Sequence, residues 1–105
     1  MLASVNAEDL FRLLKEGTPP AVLDVREPLE CQTRPFEGAV CIPLGLLQGR
    51  LNELDPDQEI VVLCLGGKRS ALACHLLQGA GFDKVKNLNG GMIAWEAFLE
   101  HHDLG

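Results

Sequence analysis

The sequence predicts an α/β domain with a parallel sheet covered by helices on both faces. Three observations carry this. Short apolar runs with β-branched members alternate along the chain with segments whose leucines recur at helical spacing. No two of these runs are joined by a hairpin turn signal. The runs are near-continuous in apolar character, as strands buried on both faces require.

The elements follow in order. Asn6 caps a first helix, with Glu8 and Asp9 in its first turn, Leu10, Leu13 and Leu14 on one face, and Gly17 closing it. Thr18-Pro19-Pro20 breaks the chain before the strand Ala21-Val22-Leu23-Asp24-Val25. Residues 26–38 are polar and irregular, with room for one helical turn among Pro28, Pro35 and Gly38. Ala39-Val40-Cys41-Ile42 is a brief strand stopped by Pro43. Leu44, Leu47, Leu51 and Leu54 form a second helical stripe, ended by the turn Asp55-Pro56-Asp57.

Glu59 to Cys64 is the strongest strand signal. Leu65-Gly66-Gly67-Lys68 is a tight loop, and Ser70 to Ala80 reads as a helix ending at Gly81. Lys84 to Leu88 is the last strand. Asn89-Gly90-Gly91 then turns into a helix carrying Ile93, Trp95, Phe98 and Leu99. The tail His101 to Gly105 reads as frayed.

Composition narrows the function. At 105 residues the chain suits one domain, with a core of about 4–99 and no room for a separate cofactor module. Hydrophobic residues at 47% and charged residues at 23% describe a globular domain. A net charge of −6 argues against a grip on nucleic-acid phosphates. One Trp, four Phe and no Tyr argue against a base-stacking platform. No run approaches the roughly 20 apolar residues of a membrane span, so no membrane partner is expected.

The four cysteines, at 31, 41, 64 and 74, have no C-x-x-C spacing, so neither a zinc ribbon nor a vicinal redox motif is expected. The N-terminus lacks a basic region followed by an apolar one. The expectation is a cytoplasmic protein with reduced thiols. Cys31, Cys41 and Cys74 are read as buried and inert.

Cys64 stands apart. It closes a strand, and a glycine-bearing loop and a helix start follow at once. Ligands in open α/β sheets bind beyond the carboxyl ends of the strands. Gly66 and Gly67 permit positive φ, so the loop N–H groups can turn inward as an anion-binding nest. The helix N-terminus adds further N–H groups, and Lys68 and Arg69 add two cations. A thiol in that field moves toward thiolate, the nucleophilic form. His75 lies too far into the helix to pair with it. Asp24 and Arg26 read as a structural ion pair near the site, and Trp95 as core.

The segment Cys64-Leu65-Gly66-Gly67-Lys68-Arg69-Ser70 resembles the C-x-x-G-x-R-S active-site loop of the rhodanese-like sulfurtransferases. Leu23-Asp24-Val25-Arg26 with Glu30 is similar to that family's D-V-R…E segment, and Gly38-Ala39 with Ile42-Pro43 to its G-A…I-P segment. Gly81-Phe82, Val85, Leu88, Gly90-Gly91 and Ala94-Trp95 resemble its closing segment. The chain departs from the pattern at several places. Cys31 stands where an aromatic is common, Pro35-Phe36 where His-Ile is common, Cys41 where Asn precedes Ile-Pro, and Leu65 where Arg often follows the cysteine.

The resemblance implies a five-stranded parallel sheet flanked by helices. It implies a sulfurtransferase in which Cys64 carries a sulfane sulfur as a persulfide, from a donor such as thiosulfate to a thiol or cyanide. The loop Leu65, Gly66, Gly67, Lys68 and Arg69 would bind the substrate anion. No metal or organic cofactor is implied. The partners would be a small-molecule donor and acceptor, with a protein persulfide as an alternative donor, and a monomer is expected. Two other classes compete. A cysteine phosphatase or arsenate reductase would use the same cradle, but those loops place five residues between Cys and Arg, where Cys64 and Arg69 have four. A non-catalytic binding module of this family would more commonly have lost the cysteine.

Overall fold

The computed structural model describes residues 2–104. Five strands, β1 (Ser4–Val5), β2 (Ala21–Asp24), β3 (Val40–Cys41), β4 (Ile60–Leu63) and β5 (Val85–Leu88), form one sheet. Their order is β1-β5-β4-β2-β3, and every neighbouring pair is parallel. The helices are α1 (Ala7–Leu14), α2 (Pro28–Thr33), α3 (Leu44–Leu47), α4 (Lys68–Gly79) and α5 (Gly91–His101).

Side chains alternate across the central strands and divide the core in two. Leu23, Ile60, Val62 and Cys64 face one way, packing with Ala73, Cys74 and Leu77 of α4. Val22, Val61 and Leu63 face the other way, packing with Leu10 of α1 and Met92 and Trp95 of α5. β4 is buried at all four positions, which is why its sequence shows no polar alternation. Trp95 is a core residue, its ring centroid 4.7 Å from that of Phe36.

Four details differ from the sequence reading. β1 is only two residues long, too short to leave a periodic signal. Residues 28–33 form a six-residue helix where one turn is expected. Pro28 opens it, and the Glu30 carboxylate accepts the Glu27 N–H at 3.0 Å. The leucine stripe 44–54 divides into α3 and a 3-10 segment (Gln48–Glu53) around Arg50, whose φ of −126° is not helical. The last helix runs past Leu99 to His101, with the His102 ring against Phe98.

The register places the site. Asp24, Cys41 and Leu63 share one row at the carboxyl end of three adjacent strands. Cys64, Arg26 and the start of α4 lie just beyond that row.

Candidate active site

Cys64 follows β4 directly and is 1% exposed. Its Sγ accepts the backbone N–H of Gly67 at 3.1 Å and of Ser70 at 3.3 Å. The Ser70 hydroxyl lies 3.3 Å from the same sulfur. These donors exist because the loop curls back over the sulfur, and Gly67 makes the curl with a φ of +108°. Gly66 does not adopt positive φ, so one glycine carries the turn that the sequence reading shares between two.

The loop is held from behind. The first turn of α5 gives the Met92 N–H to the Cys64 carbonyl at 2.9 Å and the Ile93 N–H to the Leu65 carbonyl at 3.1 Å. With both carbonyls pulled toward α5, the loop N–H groups are left to face the sulfur. Gly91 makes this close approach possible. A Cβ there would sit 2.4 Å from the Cys64 carbonyl oxygen and 2.6 Å from that of Leu65.

Two buried groups fix the loop from β5 and α4. The Ser70 hydroxyl donates to Asn87 Oδ1 at 2.5 Å, and Asn87 Nδ2 donates to the Gly67 carbonyl at 3.2 Å. With its proton given to Asn87, Ser70 Oγ can accept from a neutral Cys64 thiol. Rotated, the hydroxyl can instead donate to a thiolate. Sequence reading assigns neither Ser70 nor Asn87 a role. Ser70 is visible as the last letter of the loop motif, whereas nothing local marks Asn87.

The electrostatics differ from the sequence expectation. Burial pushes the Cys64 pKa up, but the Ser70 hydroxyl and the N–H groups of Ser70, Gly67 and Gly66 outweigh it, and the thiol lies below its ordinary value. The lowering is led by the Ser70 hydroxyl and by backbone donors, and the Arg69 charge also interacts favourably with a Cys64 thiolate. Arg69 is paired, its guanidinium donating to both oxygens of Glu30 at 2.7 and 3.0 Å. Lys68 and Leu65 are both exposed on the loop.

Asp24 and Arg26 are each 2% exposed and form a closed ion pair, with Nη2 to Oδ2 at 2.7 Å and Nε to both oxygens. Arg26 Nη2 also reaches the Arg34 carbonyl at 2.7 Å. Beside the loop lies a cavity of about 320 Å³, walled by Leu29, Glu30 and Thr33 of α2, Leu65 of the loop and Met92 of α5.

The remaining thiols divide. Cys74 is fully buried, and burial pushes its pKa up to about 12. Cys31 and Cys41 are not the buried, reduced residues the sequence suggests. They are partly exposed and joined as a disulfide, with Cα atoms 6.6 Å apart. The irregular segment 34–39 brings the chain from α2 back to β3, and no spacing rule could show that return.

Comparison with known proteins shows the family and the fold. The chain matches the family described as "Rhodanese-like domain" over residues 6–98. It is 33% identical over 95 residues to a protein of Allochromatium vinosum named "Sulfurtransferase", covering 90% of this chain and 89% of that one. The crystal structure of a rhodanese-related protein from Thermoplasma volcanium superposes with a TM-score of 0.83 at 32% identity, covering 91% and 92% of the two chains. The structure of an NAD-dependent persulfide reductase from A. fulgidus matches at 38% identity and a TM-score of 0.70, over 90% of this chain and 16% of that one.

Proposed function

The chain belongs to the rhodanese-like domain family, and on that premise we propose that it moves a sulfane sulfur through a persulfide on Cys64. One observation carries the reading. Cys64 Sγ receives two backbone N–H groups from a loop whose carbonyls are held elsewhere. That arrangement favours negative charge on sulfur and needs no reorganisation when charge arrives.

The chemistry balances without cofactor or net oxidation. The Cys64 thiolate attacks the outer sulfur of a donor such as thiosulfate. The donor's S–S bond breaks, and sulfite leaves with the electron pair. The outer sulfur of the new persulfide then sits near the loop donors. A cyanide or thiolate acceptor attacks that sulfur, giving thiocyanate or a new persulfide and returning the Cys64 thiolate. Arg69, the arginine of the loop motif, is engaged by Glu30, so its guanidinium is not free to close over a tetrahedral oxyanion. This supports sulfur over phosphate or arsenate as the cargo.

In this reading Leu65, Gly66, Gly67 and Lys68 line the approach to the sulfur, and Asp24 and Arg26 are structural. The donor is a small molecule or a protein persulfide, and the protein works as a monomer in the cytoplasm. No helix among the described residues is long and apolar enough to cross a membrane. The test is turnover after single replacements. Cys64→Ser is expected to abolish sulfur transfer, while Ser at 31, 41 or 74 leaves most of kcat. Loss of kcat at one of those three, with the fold intact, would move the nucleophile elsewhere.

A further inference from the structure

Two of the departures from the family pattern, Cys31 and Cys41, are the two ends of one bridge. The bridge joins α2 to the edge strand β3 beside the site. No residue of α2 is buried. The helix therefore has no apolar anchor of its own, and such elements open at low free-energy cost. Its other attachments are polar. Glu30 meets Arg69, the Arg34 carbonyl meets buried Arg26, and the Arg34 guanidinium meets Glu96 at 2.7 Å on the surface. Yet α2 supplies Leu29, Glu30 and Thr33 to the cavity whose other walls include Leu65, the residue that follows Cys64.

We propose that the Cys31–Cys41 bridge is a thiol–disulfide switch that fastens α2 as a wall of the Cys64 cleft. The reacting partner is a low-molecular-weight thiol. Its thiolate attacks one bridge sulfur, the S–S bond breaks, and the departing cysteine takes up a proton. A second thiol then releases the mixed disulfide. Two cysteine thiols are gained, and two external thiols are oxidised to their disulfide. The reverse exchange closes the bridge. The Arg26 carbonyl lies 3.9 and 3.7 Å from the two sulfurs, so each released thiol has an acceptor in place. Thiol–disulfide exchange of this kind needs access, and both cysteines are partly exposed.

The consequence is directional. With the bridge closed, α2 is fixed and the cleft is formed before a donor arrives. With it open, donor binding must also order α2, so KM rises while the chemistry at Cys64 is little changed.

The switch is tested on the whole chain in two measurements. Hydrogen exchange is followed on Cys64→Ser protein equilibrated with reduced glutathione or with its disulfide. Amides of residues 29–34 are expected to exchange several-fold faster after reduction, with the sheet unchanged. Sulfur transfer to cyanide is then compared between oxidised wild type and the Cys31→Ser, Cys41→Ser double variant, which carries no bridge in either buffer. KM for the donor is expected several-fold higher in the variant, with kcat within about twofold. Should the variant fail to fold, wild type reduced and desalted before assay takes its place. A bridge that glutathione does not open in the native protein overturns the proposal. So does unchanged exchange of 29–34, or an unchanged KM. Absence of any turnover would instead sink the reading of Cys64, and the exchange data alone would then decide this one.

Discussion

The Arg69 guanidinium lies on the Glu30 carboxylate through two hydrogen bonds of 2.7 and 3.0 Å, although the residues are 39 positions apart. The contact ties the start of α4, and with it the Cys64 loop, to α2. It also neutralises a cation of the loop against a carboxylate that lines the neighbouring cavity.

This pair gives the protein an acid-sensitive contact. Hydrogen bonding from Arg69 lowers the Glu30 pKa from 4.5 to about 2, with help from the Glu27 N–H. A depressed carboxylate pKa stabilises the fold in full above the unfolded value. That contribution is lost as pH falls from about 4.5 toward about 2. Both side chains are about a third exposed, so the effect is roughly 1 kcal/mol or less. Glu30→Gln is expected to lower stability by that amount at neutral pH and to flatten the acid limb of a denaturation series. An unchanged acid limb would show that the pair is not formed in solution.

Ser70 sets the reactivity of Cys64 through its hydroxyl and its N–H. Only the hydroxyl is removed by Ser70→Ala. The Cys64 pKa is then expected to rise, and alkylation by a neutral haloacetamide at pH 7 to slow. The loss should shrink as pH is raised and the thiolate becomes populated in both proteins. A rate deficit constant across pH would point to lost positioning instead. Asn87→Ala is expected to act in part differently, since it frees the hydroxyl proton for the sulfur while releasing the Gly67 carbonyl.

The glycines divide by what lies beside them. Gly91 has a φ of +55° and no space for a Cβ against two carbonyl oxygens. Gly91→Ala is expected to cost more than about 2 kcal/mol and to lower kcat, because strained backbone and lost loop anchoring coincide. A Cβ at Gly66 would meet nothing within 4 Å, so Gly66→Ala should fold with stability within about 0.5 kcal/mol of wild type. Thermal unfolding of the two variants side by side checks the contrast.

Much of this could be read in the sequence, for a physical reason. The strand, the cysteine, the glycine turn and the helix start are contiguous from 59 to 80, so local rules suffice to assemble them. Contacts made by distant segments were not legible. Asn87 reaches Ser70 across 17 positions, and Glu30 reaches Arg69 across 39. The bridge between Cys31 and Cys41 depends on the path of an irregular segment with no periodicity. The sequence did mark both cysteines as departures from the family pattern, but only the fold shows that they meet. Lys68 and Arg69 look alike as neighbouring cations, yet only Arg69 finds a carboxylate.

That difference leaves Lys68 as the mobile cation at the rim. Thiosulfate is a dianion, and Leu65 offers it no charge. Lys68→Ala is expected to raise KM for thiosulfate several-fold, with less effect on kcat, and to flatten its salt dependence, since an exposed contact contributes roughly 1 kcal/mol or less. Leu65→Arg is expected to lower KM. Indifference of KM to both changes would favour a neutral or protein-bound persulfide as the natural donor.

The central claim is that sulfur rests on Cys64. Intact-mass spectrometry after incubation with thiosulfate tests it most directly. The protein is expected to gain the mass of one sulfur atom, to lose it on addition of cyanide, and to gain nothing when Cys64 is replaced by Ser. A mass that stays unchanged while thiocyanate accumulates, or an adduct that persists in the Cys64→Ser protein, would contradict the account.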